Sequence, residues 1–262
     1  MHFALSPDYK RHFALSLVNS MLHKLGRLSP LRKLEQHRLQ MREHHLPLPA
    51  FVQAILETPL PQADFDVRQQ PLLSLDIETS GLDAEHDHIV SIGWVPIVNQ
   101  VIRLAEARYF LITPSGQNDP QQVVLHHIMP QMQRQGIPLA QAIELLFTQL
   151  KGKVLLAHGS VVERQFIHHF MQQHGWPDLP IVWLDTLKIE QAYAQYAPYN
   201  MPHSNANDWR LSTVRKRYHL PAYQAHHALS DAIATAELYL AQQNRLFAKA
   251  YVPLELLMKA SV

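Results

Sequence analysis

Residues 72–83, "LLSLDIETSGLD", decide how the rest of the chain is read. Leu72, Leu73, Leu75 and Ile77 mark a buried strand, yet Asp76 and Glu78 sit in its middle. Side chains two apart on a strand project from one face, so both carboxylates point the same way. Two like charges held together in apolar surroundings are costly unless a cation neutralises them, which makes a metal-binding pair one reading. A solvent-facing end of an edge strand is the other.

Outward from this stretch, "HIVSIGWVPIV" (88–98) and "VIRLAEARYFLI" (101–112) are two more strand candidates, rich in Val, Ile, Leu and aromatics. Three adjacent strands with short connections predict an antiparallel meander. Beyond Pro120 the pattern becomes helical through "PLAQAIELLFTQL", then gives a buried strand "KVLLAHG", a helix "SVVERQFIHHFMQQHG", a strand "IVWLD" and a helix from Thr186. Strands alternating with helices predict parallel additions to the sheet. A polar loop "APYNMPHSNAND" (197–208) precedes two last helices, the final one expected from about Ala225 to Ala248.

The segment before residue 70 has a different texture. Ser6-Pro7 and Ser29-Pro30 are placed as helix N-cap and first-turn residue, and Leu15, Val18, Leu22 and Leu25 recur at helical spacing before Gly26. Phe51, Ile55 and Leu56 suggest a third short helix. "TPLPQADFDVRQQP" (58–71) is polar and proline-bearing and is read as a linker. The expected organisation is therefore a helical extension and linker over 1–70, an α/β domain over 71–250 and a tail over 251–262.

At 262 residues and 47% hydrophobic content, the chain can bury a proper core. It has no cysteine, which excludes disulfides and thiolate zinc sites and fits a reducing compartment. No apolar run approaches the roughly 18 residues of a membrane span, and "MHFALSPDYKRHF" carries charge where a signal peptide needs its apolar stretch. A cytoplasmic protein without membrane contact is expected. Net charge is +1, but residues 1–50 hold eight Lys/Arg against three Asp/Glu, leaving 15 against 19 elsewhere. A basic appendage favours nucleic acid or an acidic partner, and an ordinary solvated helix face explains the same count.

Three further stretches could aim acids or histidine at Asp76 and Glu78. Glu163 lies on the first turn of the helix after "VLLAHGSV". His226 and Asp231 in "HHALSDA" flank the start of the last helix. Asp185 ends its strand, although Thr186 beside it favours a helix N-cap. Singly each is weak, since an Asp early in a helix commonly complements the macrodipole and a lone His is commonly structural.

The order of these pieces resembles the DEDDh exonucleases, the DnaQ-like superfamily, across residues 72–245. Asp76-Ile77-Glu78-Thr79-Ser80-Gly81 matches the first motif, and His226 to Ala232 matches the late HxAxxDA motif. "VLHHI" around His126 and "WLDTL" around Asp185 are similar to lesser features of the family. The resemblance implies an α/β ribonuclease H-like fold with a mixed five-stranded sheet, three strands antiparallel and two parallel, flanked by helices. It also implies a 3′–5′ exonuclease using two Mg²⁺ or Mn²⁺ ions, which in two-metal sites lie about 3.5–4 Å apart. Magnesium prefers oxygen ligands, which suits carboxylates. By the same resemblance, Asp76 would bridge the metals, Glu78 and Asp231 would hold the water-activating one, Glu163 would support the other, and His226 would accept the proton from water.

The second motif departs from the pattern. Where the family has His-Asn-x-x-Phe-Asp, this chain has His158-Gly159-Ser160-Val161-Val162-Glu163. Glu keeps the charge but adds about 1.5 Å of reach, in a setting where about 1 Å of misplacement can cost around a hundredfold in rate. Thr79, Leu82 and His126 are the substrate-side candidates by resemblance. His158 is read as support for the strand-helix turn, and His86, His88, His168, His169, His174 and His203 as exposed or structural.

DNA with a free 3′ end, preferably single-stranded, is the expected substrate, in proofreading or repair. An exoribonuclease of the oligoribonuclease or ribonuclease T type, and a catalytically weakened nucleic-acid-binding relative, are the alternatives, because discrimination rests on 2′-hydroxyl contacts that a sequence does not display. Residues 1–70 are candidates for contact with a protein partner. Gln243 to Phe247 resembles a Gln-x-x-Leu-Phe sliding-clamp motif, but it falls where Leu246 and Phe247 should pack into the core, so clamp binding is not expected.

Overall fold

A computed structural model describes residues 29–44, 47–114, 134–194, 208–247 and 250–261. Helix α1 (Pro30–Glu43) starts where Ser29 accepts a hydrogen bond from the Arg32 amide, and α2 spans Ala50–Glu57. Strand β1 (Leu72–Thr79) is followed by β2 (Ile89–Val98), the two-residue β3 (Val101–Ile102) and β4 (Arg108–Leu111). Then come α3 (Leu139–Leu150), β5 (Val154–Ala157), α4 (Val161–Gln173), β6 (Trp183–Asp185), α5 (Thr186–Ala194), α6 (Leu211–Arg217), α7 (Ala228–Gln242) and α8 (Leu254–Ala260).

The sheet runs β3-β2-β1-β5-β6, with β4 also paired to β2. Strands β2, β3 and β4 are antiparallel, and β5 and β6 add in parallel beside β1. The mixed character is as expected, but the strands number six rather than five. The extra one arises because "VIRLAEARYFLI" is broken. Asn99 and Gln100 turn with φ of 52° and 61°, β3 returns for two residues only, and a 3₁₀ turn at Leu104–Glu106 interrupts the run before β4.

Alternation along β1 sorts its side chains between two cores. Leu73, Leu75 and Ile77 pack with Phe147 of α3, Phe170 of α4 and Val52 of α2. Leu72 faces the opposite way, with Val154, Leu156, Tyr239 of α7 and Leu257 of α8. Ser74, Asp76 and Glu78 share the parity of Leu72, so they point toward α7. Ser74, fully buried, donates from Oγ to the Ala232 carbonyl at 2.7 Å and locks strand to helix.

The last long helix begins at Ala228 rather than near Ala225, because His226 has φ 64°, a left-handed conformation that cannot continue a helix. It ends in a π-helical turn over Gln243–Phe247, in which Leu246 and Phe247 are both 3% exposed. The flanking segments close on each other. The Val67 amide donates to Val252, and the Leu254 amide to Phe65, at 3.0 and 2.8 Å. Leu254, Leu256, Leu257 and Met258 of α8 are buried, in a stretch read from sequence as a tail. Among the described residues no helix is long and apolar enough to cross a membrane.

Candidate active site

Two strand residues and one helix start build the centre of the site. Asp76 pairs across the ladder with Gly93 of β2, and the first turn of α7 lies directly against Gly93. A Cβ at residue 93 would lie 2.3 Å from the Leu229 amide nitrogen and 2.6 Å from the Ala228 carbonyl carbon. Only a residue with no side chain lets the first turn of α7 settle on β2. That turn carries Asp231, and the carboxylates of Asp76, Glu78 and Asp231 each place an oxygen within 4.8 Å of the others.

The N-terminus of α7 is held by a reciprocal cap. The His227 ring accepts from the Ser230 amide at 3.4 Å, while the His227 amide donates to Asp231 Oδ2 at 3.0 Å. The other oxygen, Oδ1, accepts from the Tyr223 hydroxyl at 2.8 Å. The His227 ring stacks on Tyr109 of β4, with centroids 4.3 Å apart and planes 21° from parallel. His226 precedes this cap and is exposed, and its charge acts on Glu78.

Glu163 enters from the first turn of α4. Asp185, 1% exposed, arranges that turn: Oδ1 accepts from the Gly159 amide and Oδ2 from the Ser160 amide and hydroxyl, at 2.8–3.0 Å. Oδ1 also accepts from the Leu187 amide, so Asp185 caps α5 as expected and organises the approach to α4 as well. Gly159 has φ 79°, a conformation suited to glycine, which gives the Gly at this motif position a physical reason. His158 braces the same turn through Thr186 Oγ1 and the Trp209 carbonyl, both at 2.8 Å.

The electrostatics are those of crowded acids. Burial, reinforced by the charges of Glu163, Asp231 and Glu78, holds Asp76 well above the usual carboxylate range. Burial and the Asp231 charge push Glu78 up to about 7, with His226 opposing. Burial first, then the charges of Asp185 and Glu78, push Glu163 up to about 8. Glu163 is 5% exposed, and its Oε2 has no hydrogen-bond partner among the described residues. Three acids crowded within reach of one ion, with a buried carboxylate oxygen that lacks a donor, fit a divalent cation.

The remaining candidates are scattered differently. Thr79 Oγ1 donates to the Gly81 carbonyl at 2.6 Å and closes the turn after β1, and Leu82 stands 75% exposed on that turn. His126 and His203 lie outside the described residues. His86 pairs with Asp83 at the surface, and His168 with Asp178. Gly93 and Tyr223 were missed. A glycine inside the strand "SIGWV" signals a close backbone approach, whereas nothing in the sequence marks Tyr223.

The exonuclease family model RNase_T matches residues 73–239. The chain belongs to the exonuclease family. Within that family it is of the DEDDh, DnaQ-like 3′–5′ type. The exonuclease chain is 27% identical over 167 residues to the DNA polymerase III subunit epsilon of Treponema pallidum, covering 63% of this chain and 73% of that one. To the PolC-type DNA polymerase III of Thermotoga petrophila it is 24% identical over 166 residues, covering 63% of this chain but 11% of the polymerase. It thus spans about a tenth of the length of such polymerases.

Solved exonucleases share the fold. E. coli Exonuclease I in complex with a dA16 oligonucleotide superposes with a TM-score of 0.57 at 19% identity, over 68% of this chain and 42% of that one. Exonuclease X in complex with 5′ overhanging duplex DNA gives 0.53 at 20% identity, over 72% and 99%. The ribonuclease H-like architecture expected from the sequence is the one observed.

Proposed function

We propose that this protein is a metal-dependent 3′–5′ exonuclease that hydrolyses phosphodiester bonds at free 3′ ends, single-stranded DNA foremost, and releases nucleoside monophosphates. The observation that carries the reading is the convergence of Asp76, Glu78 and Asp231 within 4.8 Å, with the unpartnered Glu163 oxygen buried nearby. Asp76, Glu78, Asp231 and Glu163 would hold Mg²⁺ or Mn²⁺, two ions by family resemblance. Bound there, the metal supplies Lewis-acid stabilisation of the charge that develops on the phosphodiester oxygens.

The chain's own groups do the rest. His226, exposed beside the acids, accepts the proton of the attacking water on a ring nitrogen, general-base work that imidazole side chains commonly perform. The turn Thr79–Leu82 follows directly on Glu78, and the exposed Leu82 offers an apolar face for the terminal base. Glu163 serves in place of the family's Asp, because Asp185 sets the start of its helix independently of the side chain at 163. The likeness to the epsilon subunit, and to exonucleases solved with oligonucleotides, supports nucleic acid as substrate.

A 3′-end degradation assay tests the proposal, with matched single-stranded DNA, duplex DNA and RNA, each with Mg²⁺, Mn²⁺ or chelator, beside Asp76→Ala. Metal-dependent laddering from the 3′ end, absent in the variant and fastest on single-stranded DNA, is expected. Binding without cleavage of any substrate refutes the enzyme, and preference for RNA moves it to the exoribonucleases.

A further inference from the structure

Asp231 is gripped from outside the metal-binding set. Its Oδ1 accepts from the Tyr223 hydroxyl at 2.8 Å and its Oδ2 from the His227 amide at 3.0 Å, so the plane of the carboxylate is fixed by two donors. Each carboxylate oxygen accepts about two hydrogen bonds or ligand contacts, so both retain capacity for one more.

Tyr223 is itself held in place by a buried cation. The Arg215 guanidinium, 2% exposed, lies 4.9 Å from the Tyr223 ring centroid. Arg215 Nη1 donates to the Ala234 carbonyl at 2.6 Å, and Nη2 donates to the Pro221 carbonyl at 3.0 Å and pairs with Glu237 at 2.7 Å. Ala234 and Glu237 belong to α7, as does Asp231, and Pro221 opens the segment that carries Tyr223. One arginine of α6 therefore references the tyrosine to the helix whose aspartate it bonds.

We propose that Tyr223, seated on Arg215, is a positioning residue that orients Asp231 for the divalent cation, so that its hydroxyl sets the metal affinity of the site. The inference rests on the metal-dependent reading above and adds a group outside the acid-and-histidine set. Donors behind ligating carboxylates have a known scale: their loss commonly weakens metal binding 10–100-fold.

Tyr223→Phe removes the hydroxyl and keeps the ring over Arg215. Mn²⁺ binding to the full chain, followed by calorimetry or by the paramagnetic resonance of free Mn²⁺, should weaken 10–100-fold, with the fold intact by circular dichroism. The Mn²⁺ concentration giving half-maximal cleavage should rise by the same factor, while KM for the oligonucleotide at saturating metal stays unchanged. Tyr218→Phe, which strips another half-buried tyrosine of its bond to Glu190 at 2.6 Å, is the control and should leave Mn²⁺ affinity alone. Equal Mn²⁺ affinity in wild type and Tyr223→Phe overturns the inference by itself, as does an equal loss in Tyr218→Phe. A wild-type chain that takes up no Mn²⁺ overturns it together with the metal-dependent reading.

Discussion

Glu163→Gln separates the charge of the site from its shape. In metal-free protein the Glu163 carboxyl keeps its proton up to about 8, against an ordinary 4.5. Between those values the folded chain binds more protons than the unfolded one, so this group's stability is fully present below about 4.5 and is lost as pH rises through about 8. At about 1.4 kcal/mol per pH unit the ceiling is about 5 kcal/mol. From pH 6.5 to 8 that ceiling is about 2 kcal/mol, and relaxation and water entry around coupled buried acids leave about 1 kcal/mol to be measured. For a chain of this size that is roughly 2–4 °C in Tm. Glu78, raised to about 7, adds in the same direction. His158, whose protonation burial disfavours, slopes the other way but only below its ordinary 6.5. Thermal melts in chelator from pH 6.5 to 9 should therefore show wild type losing stability with pH and Glu163→Gln losing less, the gap widening with pH. Added Mn²⁺ should stabilise wild type most at high pH. A flat wild-type profile, or a Gln variant running parallel to it at constant offset, would refute the electrostatic account of the cluster.

Asp76→Ala and Asp231→Ala should each abolish turnover in the 3′-end assay while the far-ultraviolet spectrum stays native; normal turnover in either removes that residue from the machinery. His226→Ala should slow cleavage by about 10²–10⁴ while Mn²⁺ binding measured by titration persists, and a full-rate variant would exclude it as the proton acceptor. Glu163→Asp shortens the side chain by about 1.5 Å and should cost around a hundredfold in rate, because Asp185 fixes the backbone for the longer acid. A faster enzyme would show instead that the helix has not adapted. Gly93→Ala forces a methyl to within 2.3 Å of the Leu229 amide, so it should cost about 1–3 kcal/mol and displace Asp231 from Asp76. Wild-type melting and rate would mean that α7 yields without consequence.

Much of this site was legible because its parts obey local periodicities. Asp76 and Glu78 betray their common face by the two-residue repeat of a strand, and Glu163 and Asp231 fall on first turns that their flanking glycine, serine and histidine announce. What escaped depends on partners distant in sequence. Gly93 is read only once Leu229 is known to lie on it, and Tyr223 only once Arg215 and Asp231 bracket it. The split in "VIRLAEARYFLI" escaped for the opposite reason: Val101, Leu104 and Phe110 look like one apolar run, although Val101 and Leu104 are 50% and 62% exposed. The start of α7 was placed early because Ala225 has the composition of a helix, whereas His226 has the backbone of a turn.

The hydrogen bond between Ser74 and Ala232 joins positions 158 residues apart, and the same docking brings Asp231 to Asp76. Pairings of such long range form late, after the chain has met the entropy of closing a large loop. A ribosome emitting roughly 5–20 residues per second takes many seconds to pass from residue 76 to residue 231. Throughout that interval the nascent chain holds two acids on a strand and no aspartate to complete the set. The protein therefore emerges beside messenger and ribosomal RNA with its acid cluster incomplete, and the set closes only when the last long helix docks.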